Sequence, residues 1–131
     1  MWTFKNVLAM GLFLFGSTFL WMTPAFAGKT PPPTGAAWTV VNLLALVAVA
    51  GFAVTAWAAF KEYSWWWTGA IVSASLGLLA VIPFVVALRQ IDLPFGDVGV
   101  QINVWMHVLG SALVLAALTV PSIHDSVVSR V

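Results

Sequence analysis

Apolar residues run along this chain in four long blocks, separated by short breaks that are polar or carry proline. The blocks lack the polar stripe a soluble helix keeps toward water. The best formed spans residues 65–88 and opens on Trp65, Trp66 and Trp67, whose rings join an apolar body to a polar N–H and suit the headgroup level of a bilayer. Behind them Gly69, Ser73 and Gly77 recur every fourth residue. They therefore share one helix face and allow a neighbouring backbone to come close. No hydrophobic force draws helices together in lipid, so close van der Waals contact and an occasional hydroxyl bond must do so. Pro83 removes a backbone donor and should bend this helix near its far end.

The block at 38–60 holds no ionisable residue and repeats the same device, with Gly51, Thr55 and Ala59 four residues apart. The connection Lys61-Glu62-Tyr63-Ser64 is too short for anything but an antiparallel hairpin. Gly51 and Thr55 are therefore expected to dock against Gly69, Ser73 and Gly77. Asn42, the one amide of this helix, is expected to make an interhelical hydrogen bond. From Arg89 to Asp97 the chain leaves the membrane, with Pro94 and Gly96 as turn formers and Asp92 and Asp97 obliged to stay wet. A last span covers 102–120, stopped by Pro121, with a short tail at 124–131.

Residues 1–27 read as a secretory signal: Lys5, an apolar core at 7–22, then Pro24-Ala25-Phe26-Ala27 before Gly28. Ala25 and Ala27 fit the small-residue pattern of a signal-peptidase site. Cleavage after Ala27 is the expectation, which leaves three spans; retention of the segment would give four. Residues 28–37, GKTPPPTGAA, form a linker whose prolines favour an extended conformation without internal hydrogen bonds. Such a segment cannot sit in hydrocarbon.

Composition agrees with this division. Of 131 residues 62% are hydrophobic and 7% charged, against roughly 25% charged in soluble domains. A span needs about 20 apolar residues to cross roughly 30 Å of hydrocarbon, so the chain fits one small all-α membrane bundle, a single polytopic domain over 28–131. A net charge of +1 and the lack of any basic run give no reason to expect nucleic acid as a partner. With no cysteine there are no disulfides and no thiolate chemistry. Basic residues favour the cytoplasmic side; with Lys5 inside, Lys61 and Arg130 also fall inside, and Lys29 and Arg89 outside. The expected location is a cell (inner) membrane.

Candidate chemistry is sparse. Cation or proton transport draws on ionisable groups within spans, and the apolar runs hold no Glu, Asp, Lys or Arg. Size and helix number resemble the small multidrug resistance family, but the membrane-embedded glutamate on which that family depends is missing. His107 is the one ionisable side chain well inside a span, on a stripe with Asn103 and Ser111 and beside Gly110. That stripe must face protein, cofactor or water rather than lipid. His107 is therefore either an axial ligand to haem or a chlorin, or a neutral histidine bonded to a neighbouring helix or to headgroup-level water; the second is the expectation. His124 lies seventeen residues further on, roughly 25 Å along a helix, so the two histidines cannot share one iron. Asp92, Asp97, His124 and Asp125 are too few and too dispersed for a zinc or hydrolytic site. Most of the eight tryptophans fall at span ends, where belt anchoring is expected.

These features favour a non-catalytic accessory subunit of a multisubunit membrane complex of respiratory or photosynthetic type, with other integral membrane subunits and the bilayer as its partners and no soluble substrate. The signal-like start, the short linker and the apolar hairpin at 38–88 with its Lys61-bearing turn loosely resemble the pilins of type IV secretion and conjugation systems. That resemblance implies a structural subunit of a filament, although the span at 102–120 is extra to the usual two-helix pilin. A haem- or chlorin-binding electron-transfer subunit using His107 is the third reading.

Overall fold

The computed structural model describes residues 2–91 and 96–131; Asp92 and Pro94 of the expected wet turn lie outside the described residues. Helix α1 (Phe4–Ser17) starts at Thr3, whose hydroxyl accepts the backbone N–H of Asn6 at 3.3 Å, the usual service of a threonine N-cap. It continues as a 3₁₀ helix over Thr18–Met22. The tightening has a local cause: Ser17 Oγ donates to the Leu14 carbonyl at 2.7 Å and Thr18 Oγ1 to the Phe15 carbonyl at 2.5 Å. Hydroxyls that reach back three residues compete with the α-helical ladder. A 3₁₀ turn at Pro24–Phe26 then leads into the linker.

Helices α2 (Ala36–Phe60), α3 (Trp66–Gln90) and α4 (Val98–Thr119) follow. α3 runs through Pro83 to Gln90 without a break. α4 begins four residues earlier than the expected span because the Asp97 carboxylate caps it, accepting the Val100 N–H at 3.1 Å. The expected tail is instead a short helix, α5 (Pro121–Val128). Val120 turns extended there, and Pro121, with its φ preset and its missing donor harmless at N1, starts a new helix.

Four of these segments, Phe4–Met22, α2, α3 and α4, are long and apolar enough to cross a membrane. The chain is an all-α, multi-pass membrane bundle. α1 packs on α2, α2 on α3 and α3 on α4, while the 3₁₀ segment after α1 reaches both α2 and α4. One end of the bundle gathers Lys5, Lys61 and Arg130: Lys5 Nζ pairs with Glu62 Oε1 at 2.5 Å, Lys61 lies over the Phe60 ring, and Arg130 lies over the Phe4 ring.

The α2–α3 turn is tight. Glu62, at φ 62°, ends α2 in the left-handed region; its N–H bonds to the Ala59 carbonyl, and the Tyr63 N–H to that of Ala58. This is the Schellman arrangement that glycine usually supplies. Small residues let the hairpin close. A Cβ placed on Gly51 would lie 2.4 Å from Ser73 Oγ, and one on Gly69 would lie 2.7 Å from Thr55 Oγ1. Gly77 departs from the expected pairing, because what fills its position is the ring of Phe19, 2.4 Å from where its Cβ would be. Asn42 is half-buried, with no side-chain hydrogen bond among the described residues. Two tryptophans also depart from the expected belt. Trp38 is 1% and Trp66 3% exposed, whereas Trp57 and Trp65 remain on the surface.

Candidate functional site

His107 lies at the centre of the bundle with no exposed surface. Its Nδ1 is 2.6 Å from the Asn103 carbonyl, one turn back on α4, and its Nε2 is 3.1 Å from Thr18 Oγ1. A carbonyl only accepts, so Nδ1 carries a proton. In the neutral ring Nε2 is then the acceptor for the Thr18 hydroxyl. That hydroxyl is also within 2.5 Å of the Phe15 carbonyl, so its single proton stands between two acceptors. The ring of Phe19 packs on the imidazole with centroids 4.4 Å apart, and Phe15 lies at 6.3 Å.

Phe15 and Phe19 face this histidine and cluster with Phe52. Phe15 meets Phe19 and Phe52 edge-on at 5.4 and 5.3 Å, and Phe19 stacks on Phe52 at 5.8 Å. Such geometries suit the ring quadrupoles. Each ring occupies the space a side chain would take at a glycine: Phe52 at Gly16, Phe19 at Gly77 and Phe15 at Gly110. Gly77 and Gly110 are thus placed against rings of the N-terminal segment, not against another span's small-residue face.

The other members of the expected stripe are Asn103 and Ser111. Asn103 Nδ2 donates to the Trp21 carbonyl at 2.9 Å, so it too holds the N-terminal segment. Ser111 is fully buried, and its Oγ has no partner among the described residues; nor have Asn103 Oδ1 and Trp38 Nε1. Gly51, Thr55, Gly69 and Ser73 lie together at the α2–α3 contact, apart from the histidine. His124 stands elsewhere. Its Nδ1 is 2.9 Å from the Leu118 carbonyl and its ring is edge-on to Trp67 at 4.7 Å.

Thr18, Phe15, Phe19 and Trp21 are the contacts that sequence reasoning missed. They fall in a segment read as an export signal and therefore left out of the packing. One signal was available: Phe15 and Phe19 are four residues apart, with hydroxyl-bearing Thr18 between them, a pattern that puts two rings on one helix face.

Chemically, the arrangement joins helices. Both ring nitrogens face protein partners, and an iron or magnesium at Nε2 would have to displace Thr18 and part the rings of Phe15 and Phe19. Among the described residues no group of three or more His, Asp or Glu side chains comes together. Comparison with models of protein families, with curated protein sequences and with solved structures found no match for this chain.

Proposed function

We propose that this chain is a non-catalytic subunit of a larger assembly in a cell (inner) membrane. The observation that carries this reading is the engagement of His107, the one ionisable side chain deep within the spans, by Asn103 and Thr18 of its own chain. Ionisable groups within spans mark ion, proton or cofactor sites in transporters and redox subunits; here both ring nitrogens are engaged by the chain itself, and the residue joins α4 to the N-terminal segment. The outer surface is compatible with the same reading. Leu43, Leu79, Ile82, Ile102, Leu109 and Leu113 are each more than half exposed, and an apolar groove between α2 and α3 runs beside Pro83, lined by Val40, Leu44 and Val86. By polarity, neighbouring spans can cover these faces as lipid can.

Gentle solubilisation tests the proposal. Native mass measurement after extraction in a mild detergent should find the chain bound to other integral membrane subunits, without a Soret or chlorin band that depends on His107. A lone monomer, or a homopolymer, would contradict it. The homopolymer would revive the pilin-like reading, which has no particular contact in its favour.

A further inference from the structure

We infer that residues 2–27 are a permanent first span, left uncleaved despite their signal-like sequence, because the other three spans are shaped to receive them. Gly77 on α3 and Gly110 on α4 would each bring a Cβ within 2.4 and 2.3 Å of Phe19 and Phe15. These glycines are on helices that follow the expected cut, yet the space they leave is filled from before it. Phe19 and Met22 have no exposed surface, a degree of burial that a segment destined for removal has no reason to reach.

Polar contacts point the same way. Thr18 supplies the partner of His107 Nε2, and the Trp21 carbonyl supplies that of Asn103 Nδ2. Without the segment both groups of α4 would face hydrocarbon unpaired, which membrane interiors strongly disfavour. At the opposite end Lys5 reaches Glu62 in the α2–α3 turn. The segment is therefore tied at the middle and at both ends.

The expected cleavage point is itself folded. Phe26 N–H bonds to the Thr23 carbonyl at 3.0 Å and Ala27 N–H to that of Pro24 at 3.2 Å, closing a 3₁₀ turn where a protease needs an extended strand. Ala27 and Gly28 form part of the wall of a cleft with Leu88 and Val100. Phe26 and Gly28 are exposed, so the turn, not burial, is what would hinder a peptidase at this bond.

The test is the intact mass of the full chain purified from membranes of cells that produce it, with N-terminal sequencing of the same sample. A mature species that still contains residues 2–27 is the expected result. One that begins at Gly28 would overturn the inference, whether or not the cut fragment stays bound. This outcome is separate from that of the assembly proposal, since an uncleaved chain can be a lone monomer and a cleaved one can belong to a complex.

Discussion

His107 has one use that its geometry describes fully: it is a hydrogen-bonded link between α4 and the segment after α1. Replacing it by alanine removes the Thr18 contact and opens a cavity beneath Phe19. Thr18 keeps the Phe15 carbonyl as an acceptor, so no hydroxyl is left stranded. An interhelical hydrogen bond in a membrane contributes about 0.6 kcal/mol on average, and cavity formation adds to this. His107→Ala should therefore cost about 1–3 kcal/mol, read as an earlier unfolding transition in detergent, and should leave the visible absorption spectrum unchanged. Loss of a haem or chlorin band would restore the axial-ligand reading. The sequence placed His107, Asn103 and Ser111 on one buried stripe by helical spacing alone. It could not place Thr18 opposite, because the adjacent hydroxyls of Ser17 and Thr18 in an apolar run have no periodicity to show which one has a partner on another helix.

Among the helices, the α2–α3 hairpin was the most legible element. Its four-residue spacing of small side chains is a property of the helix surface itself, and the connection between the spans leaves one way to pair them. A change at Gly51 should therefore be local and reversible. Gly51→Ala brings a methyl group against Ser73 Oγ, and such overpacking costs about 1–3 kcal/mol; adding Ser73→Gly should recover most of the loss. Failure of the second change to rescue the first would mean that the two positions do not face each other. Gly77→Leu acts elsewhere. It should expel Phe19 and loosen the N-terminal segment while leaving the hairpin closed, seen as faster proteolysis near residues 18–28 with α2–α3 cross-linking unchanged. That partner was illegible because one pattern, a basic residue, an apolar core and small residues, serves both an export signal and a membrane span. The start of α4 and the existence of α5 are illegible for a different reason: by sequence Asp97 and Pro121 look like a wet charge and a breaker, whereas here they act as helix starts.

At the scale of the whole molecule, the N-terminal segment and the three later spans form one bundle, with Lys5, Lys61 and Arg130 gathered at one end. The Lys5–Glu62 pair records this arrangement more than it stabilises it. With side chains 25% and 58% exposed, solvent screens the pair and its worth is about 0–1 kcal/mol. Its value is as a ruler, because it joins residues 57 positions apart and both ends are native. A carbodiimide added to membranes that hold the unmodified protein should activate the Glu62 carboxylate as an acylisourea, which the Lys5 amine then attacks to form an amide, the reagent leaving as its urea. Digestion and mass spectrometry should recover one peptide pair joined through these two residues within a single chain. Glu62 captured only by an added competing amine, with Lys5 left free, would contradict the account.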